Sequence, residues 1–327
     1  MVVLNMKKEP LVILTGPTAA GKTKLSISLA KAVNGEIISA DSMQVYKGLD
    51  IGSAKIKQSE MEGIRHYLID ILDPKESFDV VQFQSLALTA MKEIRAKGKV
   101  PIIVGGTGFY IQSILYDIDF TETRGNGGLR KKYEEIAEKE GVFYLHEMLR
   151  QCDSESAKNI PPQNVKRVIR ALEFFEETGS KISEHNALQR QKESPYNSAY
   201  FVLHDTREKL YEQINRRVDL MMDEGLEEEV KQLKERGLSR GMVSMQGLGY
   251  KEILAYLDGE YTKDEAVGII KRDTRHFAKR QLTWFRREKA VIWLNKQDYA
   301  YDEDAILAEI LQILKQRGII NVSEIQV

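Results

Sequence analysis

Eight residues near the N-terminus, Gly16, Pro17, Thr18, Ala19, Ala20, Gly21, Lys22 and Thr23, carry the clearest chemistry in the chain. They form a G-x-x-x-x-G-K-[ST] loop. Leu11–Leu14 before it reads as a buried strand, and Lys24–Val33 after it as a helix. Glycines at both ends let the backbone curl so that successive N–H groups face an anion, and the helix N-terminus adds partial positive charge. In such a loop Lys22 reaches a terminal phosphate and the Thr23 hydroxyl holds Mg²⁺. The chemistry is therefore that of a bound phosphate chain. An accidental glycine-rich turn would not come with strand, loop and helix in order.

A nucleotide-cleaving protein of this kind also carries a carboxylate at the end of a hydrophobic strand. Pro101–Val104 is such a strand, yet it runs into Gly105, Gly106 and Thr107 with no acid behind it. Asp70 lies within the apolar run His66–Leu72 and not at its end, so Asp41 is the best-placed acid. Asp41 could bind a metal or act as a general base, or it could cap a helix or close a turn. Thr107 could donate its hydroxyl to phosphate, cap the following helix, or do both.

A second feature lies near the C-terminus. Lys271–Arg287 holds seven cations against one acid, Asp273, a local charge of +6 in a chain whose net charge is −1. Phe277, Trp284 and Phe285 are interleaved with the cations. Basic residues and aromatics along one helix suit a phosphodiester backbone and splayed bases. The same pattern also describes a solvated basic face with its aromatics in the core. Arg207 and Arg217 fall on another helix, where either could reach the phosphate or pair with nearby acids. The five histidines show no zinc-ligand spacing.

These residues need a scaffold, and the first third of the chain supplies one. Strands at Leu11–Leu14, Glu36–Ser39, His66–Leu72 and Pro101–Val104 alternate with helices, including Asp79–Lys97 and one ending at Leu115. That alternation predicts an α/β fold, a P-loop NTPase-like parallel sheet flanked by helices. Ligands collect at the carboxyl ends of such strands, so Lys22, Asp41 and Thr107 are expected to converge. From about Phe120 the composition becomes charged and helix-prone, which predicts a helical insertion over 120–198 between core segments 1–119 and 199–327. The core resumes with a strand at Ala199–His204, helices at Arg207–Glu224, Leu226–Arg236 and Thr262–Arg287, and a strand at Val291–Leu294. The single cysteine, Cys152, excludes an intrachain disulfide. The opening residues are too short an apolar stretch for a secretory signal, and no run approaches membrane length. A cytoplasmic protein with no membrane segment is expected.

Eight stretches together resemble the bacterial tRNA dimethylallyltransferase (tRNA isopentenyltransferase) family. They are GPTAAGKT at 16–23, SADSMQVYKGLDIGSAK at 39–55, HYLIDI with DP at 66–74 and VGGTGFY at 104–110. VKRVIRALE at 165–173, RVDLMMDEGLEEEV at 217–230, GLGYKE at 247–252 and FAKRQLTWFR at 277–286 follow in the family's order. Ser53 departs from the family's usual Thr but keeps a hydroxyl, and the glycine-rich stretch Thr121–Gly128 fits only loosely.

The resemblance implies transfer of a dimethylallyl group from dimethylallyl diphosphate to N6 of the adenosine 3′ of the anticodon, position 37. Diphosphate is released, Mg²⁺ assists, and the protein is expected to act as a monomer. It implies catalytic roles for Asp41, Lys22, Thr107 and Arg217, with Gly16–Thr23 holding the diphosphate and Thr23 the metal. For the tRNA anticodon stem-loop it implies Asp41, Ser42, Met43 and Gln44, then Gln163, Asn164, Val165, Lys166 and Arg167 of the insertion. Lys279, Arg280, Gln281, Thr283, Trp284 and Arg286 of the basic helix complete that set. The alternative is a P-loop kinase of a nucleoside or small metabolite, which leaves the basic helix and the insertion without a purpose. A prenyltransferase acting on free AMP, and an RNA-binding module with a vestigial loop, are further alternatives.

Overall fold

The computed structural model describes residues 8–120 and 127–320. The chain divides into two compact units, Tyr116–Ser194 and the remainder. In the larger unit the strands are β1 (Glu9–Thr15), β2 (Gly35–Ala40), β3 (His66–Tyr67), β4 (Val100–Gly105), β5 (Tyr196–His204) and β6 (Val291–Asn295). They form one parallel sheet in the order β3-β2-β4-β1-β5-β6. Its central strands are buried on both faces, which is why they read as unbroken apolar runs.

Helices α1 (Lys22–Ala32), α2 (Val80–Ala96) and α3 (Gly108–Leu115) connect the first strands. The smaller unit holds α4 (Gly127–Lys139), α5 (Val142–Cys152), α6 (Ser154–Asn159), α7 (Val165–Thr178) and α8 (Ile182–Gln191). The larger unit then continues with α9 (Arg207–Asp223), α10 (Leu226–Glu235), α11 (Tyr250–Leu257), α12 (Lys263–Phe285) and α13 (Glu303–Gln316). The last of these, which sequence reading did not foresee, puts Ile306, Ile310 and Leu314 into the core with Val12, Leu14, Ile102 and Phe201.

Register decides what the sheet positions. Thr15 of β1 and Ala40 of β2 both lie level with Gly105 of β4. The Thr15 hydroxyl donates to the Gly105 carbonyl at 2.6 Å, and the Thr107 amide donates to the Ala40 carbonyl at 3.2 Å. Three neighbouring strands therefore stop together, and the segments after them leave side by side.

Two expectations change. The run His66–Leu72 pairs as a strand only at His66–Tyr67, beside β2 at the sheet edge. Leu68 and Asp70 then take left-handed backbone (φ 64° and 54°), and Leu72 makes a single bridge to Tyr46. Residues 196–198, assigned to the insertion from their composition, belong to β5, where they pair with Glu9–Leu11 of β1. The loose stretch Thr121–Gly128 lies largely outside the described residues.

The smaller unit has its own core of Tyr133, Leu145, Leu149, Val168, Ile169 and Leu172. Buried Asp153 fastens it, accepting hydrogen bonds from the amides and hydroxyls of both Ser156 and Ser183 at 2.7–3.0 Å. Burial alone would raise its carboxyl pKa, but these four bonds hold it below the usual range.

Candidate active site

The loop after β1 is shaped by backbone positions open only to glycine. Gly21 has φ 91°, and a Cβ at Gly16 would lie 2.2 Å from the Leu203 carbonyl oxygen. Helix α1 starts at Lys22 with no side chain capping it, so its first amides remain available to a bound anion. The Lys22 ammonium folds back to donate to the carbonyls of Gly16 (3.0 Å) and Pro17 (2.8 Å). Burial, and then the charge of Arg217, push the Lys22 pKa down to about 7, against an opposing pull from Asp41. Burial also lowers Arg217, again opposed by Asp41. Lys22, Arg217 and Asp41 thus share one electrostatic environment. Arg217 reaches the loop directly, its Nη1 donating to the Thr18 hydroxyl at 3.5 Å.

Arg207, the other candidate on that helix, is exposed and stacks on Tyr211 at 5.1 Å. Only Arg217 of the two is placed to act on a phosphate.

Asp41 turns out to close a turn while leaving part of its carboxylate free. Its Oδ1 accepts from the amides of Met43 (2.9 Å) and Gln44 (3.4 Å), whereas Oδ2 has no hydrogen bond among the described residues. Thr107 lies just ahead of α3. Its carbonyl accepts from the amides of Tyr110 and Ile111 at the start of α3, and its hydroxyl is uncommitted among the described residues. The Thr23 hydroxyl, exposed on the first turn of α1, is likewise uncommitted.

The loop after β2 is held from behind. Gln44 accepts from the Ser39 hydroxyl at 3.1 Å and donates to the carbonyls of Ser53 and Ala54 at 3.4 and 3.3 Å. The Ser53 hydroxyl donates to the Leu49 carbonyl at 2.6 Å, so the group kept in the Thr-to-Ser departure closes a turn. Buried Lys55 donates to the Tyr46 carbonyl (2.7 Å), Asp50 (2.6 Å) and Asp70 (2.5 Å), which explains the placement of Asp70.

Glu229 receives the amides of Asp50, Ile51 and Gly52 at 2.8–3.2 Å and the Tyr250 hydroxyl at 2.8 Å. Tyr250 packs so tightly on Gly52 that a Cβ there would meet its ring at 2.6 Å, and Gly247 presses similarly on Met43. The motifs at 217–230 and 247–252 therefore support the loop at 41–55. Sequence reading missed Glu229 and Tyr250 because an acid within an acidic run looks solvated until its distant partners are known.

Helix α12 presents Lys279, Arg280, Thr283 and Arg286 to solvent. Lys279, Arg280, Thr283, Trp284 and Arg287 line an open depression of about 270 Å³. Of the residues expected on the nucleic-acid face, Gln281 turns inward, while Trp284 borders the depression and also packs against the fold. Gln281 is 7% exposed and bonds to the Thr18 amide and the Gly106 carbonyl. Trp284 packs edge-on with Phe109 at 6.2 Å, and a Cβ at Gly108 would collide with its ring at 2.2 Å. Gln281 sits on the helix side that faces the sheet's loops, and Trp284 lies between that side and the depression. In the smaller unit Gln163, Lys166 and Arg167 are exposed around the start of α7. Asn164 is the N-cap position there, and Val165 is partly buried against that unit's own core.

Among the described residues no group of three or more His, Cys, Asp or Glu side chains could hold a metal ion, and no helix is long and apolar enough to cross a membrane.

A parallel sheet ending in a glycine-walled loop, with helices on both faces, defines an α/β protein of the P-loop-like class. The sequence model of the IPP transferase family matches residues 44–288, and the chain belongs to that family. It is 61% identical to a tRNA dimethylallyltransferase of Lachnoclostridium phytofermentans, over 95% of this chain and 99% of that one. Among solved structures it resembles the full-length tRNA isopentenylpyrophosphate transferase of Bacillus halodurans (TM-score 0.72, 44% identity, 95% of this chain and 98% of that one). It also resembles a eukaryotic dimethylallyltransferase acting on tRNA (TM-score 0.75, 30% identity, 88% and 74%). These relatives favour the transferase over the kinase alternative.

The depressed Lys22 pKa has a measurable consequence. A free Lys22 with a pKa of about 7 is mostly neutral at pH 8, and a bound anion returns its affinity for the proton. Binding of a fully ionised diphosphate is expected to take up about one proton at Lys22 at pH 8 and much less at pH 6, where the amine is already charged. Calorimetry in buffers of different ionisation enthalpy reads this directly. Equal heats in all buffers at pH 8, or uptake that persists in Lys22→Met, would contradict the assignment.

Proposed function

We propose that this protein transfers the dimethylallyl group of dimethylallyl diphosphate to N6 of the adenosine 3′ of the anticodon in tRNA. The observation that carries the reading is the shared environment of Lys22, Arg217 and Asp41 at the carboxyl ends of β1 and β2, in a chain of the IPP transferase family. Cations and helix amides on one side suit a departing diphosphate, and a carboxylate beside them suits the attacking amine.

The chemistry sets the division of labour. The N6 lone pair is delocalised into the adenine ring, so the amine attacks well only as the allylic carbon gains cationic character. The C1–O bond breaks and its electron pair leaves with diphosphate. The N6–C1 bond forms, and the N6 proton passes to Asp41 Oδ2. The amides of Gly16–Thr23, with Lys22, Arg217 and Thr107, stabilise charge on the leaving oxygens. Thr23 is the residue to hold Mg²⁺, and its free hydroxyl suits that hard, oxygen-seeking ion, which would neutralise charge on the diphosphate.

Asp41–Gln44 lie at the acceptor side, with Lys279, Arg280, Thr283 and Arg286 to grip the phosphodiester backbone. Gln163, Lys166 and Arg167, exposed at the start of α7, are candidate contacts of the smaller unit for the anticodon stem-loop. The extruded adenine loses stacking worth a few kcal/mol, which contacts from the loop must offset. The family's reaction, the single free cysteine and the absence of a membrane-length helix among the described residues support a cytoplasmic enzyme.

Nucleoside mass spectrometry of unmodified tRNA incubated with protein, dimethylallyl diphosphate and Mg²⁺ should reveal N6-(dimethylallyl)adenosine. Asp41→Ala should lower turnover by about 10²- to 10⁴-fold with stem-loop affinity retained. Turnover equal to wild type would remove Asp41 from the reaction.

The basic helix makes a separate prediction. Neutralising Lys279 and Arg280 together should weaken stem-loop binding and flatten its dependence on salt, by roughly one unit of log–log slope for each phosphate no longer neutralised. An unchanged slope would mean that these cations face elsewhere.

A further inference from the structure

Helix α12 has two working sides. One exposes Lys279, Arg280 and Thr283, and the other carries Gln281 inward, where its single amide meets two different loops. The Thr18 amide in the loop after β1 donates to Gln281 Oε1 at 2.9 Å. Gln281 Nε2 donates to the Gly106 carbonyl, beside Thr107 in the loop after β4, at 3.0 Å. One partner requires an acceptor and the other a donor, so the side chain needs both ends of an amide. The approach is close enough that a Cβ at Gly106 would lie 2.2 Å from Nε2.

Neighbouring residues fix the helix to the same two loops. Ala278 and Leu282 pack with Ala19 in a cluster with Leu210 and Ile214, and Trp284 lies against Gly108.

We propose that Gln281 is a positioning residue for the transfer reaction. It sets the spacing between the two phosphate-facing loops, Gly16–Thr23 and Gly106–Thr107, and ties that spacing to the helix that displays the cations. The inference rests on the function proposed above. It departs from the expectation of an RNA contact at Gln281, since the side chain spends its polar atoms on the pocket's own backbone. Methionine at this position keeps length and apolar bulk but supplies neither bond, so the Thr18 amide and the Gly106 carbonyl lose their partners. Glutamate keeps the shape. When protonated it can still donate to Gly106 while accepting from Thr18; when ionised it sets a second acceptor against the Gly106 carbonyl.

The test compares wild type, Gln281→Met and Gln281→Glu for kcat, KM for dimethylallyl diphosphate, and affinity for an anticodon stem-loop RNA. Q281M should lose about 10- to 100-fold in kcat/KM for the diphosphate, the cost of loosening a reacting geometry, with stem-loop affinity changed by less than about twofold. The activity of Q281E relative to wild type should rise as pH falls from 8 to 6, because a buried carboxyl beside a carbonyl protonates readily.

A loss confined to stem-loop affinity, or a Q281E ratio that is flat with pH, would overturn the proposal. If Q281M does not fold, the Q281E pH ratio decides. If wild type transfers nothing to RNA, the function proposed above fails. Stabilisation by pyrophosphate, weaker in Q281M than in wild type or equal in both, still decides the role of Gln281.

Discussion

Backbone proximity at the carboxyl end of the sheet governs the rest of the molecule. Thr15, Gly105 and Ala40 end level with one another, with a hydroxyl–carbonyl bond of 2.6 Å between the first two. No side chain fits at Gly105, where a Cβ would sit 2.3 Å from the Ala40 carbonyl oxygen. A substitution there must push strands apart or tilt the loops that follow them. Interiors packed at near-crystalline density transmit such shifts instead of absorbing them. The glycines of GGT and of the loop after β1 are thus as much a part of the chemistry as Lys22, because they set how closely its neighbours approach.

The electrostatics follow from this packing. Bringing Lys22 and Arg217 into one partly desolvated pocket costs free energy, which shows as the lowered proton affinity of both. An incoming diphosphate would offset that cost, which is chiefly the burial of the two cations and only secondarily the charge of Arg217 on Lys22. The loop at 41–55 is built on the opposite principle. Its backbone and polar side chains are held from behind by Glu229, Lys55 and Gln44, and Asp41 Oδ2 is left without a hydrogen bond among the described residues. One wall is poised by unfavourable charge and the other by rigid hydrogen bonding.

Much of this was legible locally. The phosphate loop, the missing acid after β4 and the alternation of strand and helix are short-range patterns, and the convergence of Lys22, Asp41 and Thr107 follows from them through the rule for strand ends. What escaped depends on partners far away in sequence. Glu229 meets Ile51 across 178 residues, and Gln281 meets Thr18 across 263. In isolation the first looks like one more surface acid and the second like one more polar residue on a basic helix. The run at His66–Leu72 misled for a different reason. Its apolar content is that of a strand, but the edge of the sheet offers pairing for only two residues before the chain turns to place Asp70 on Lys55.

A crystal structure of the protein with a non-reactive thiolo analogue of dimethylallyl diphosphate and an anticodon stem-loop would put this arrangement to the test at once. The diphosphate should lie on the amides of residues 16–23, with the allylic carbon between it and the Asp41 carboxylate and the adenine N6 within hydrogen-bond reach of that carboxylate. A diphosphate held elsewhere, or an adenine kept in its stack away from Asp41, would contradict it.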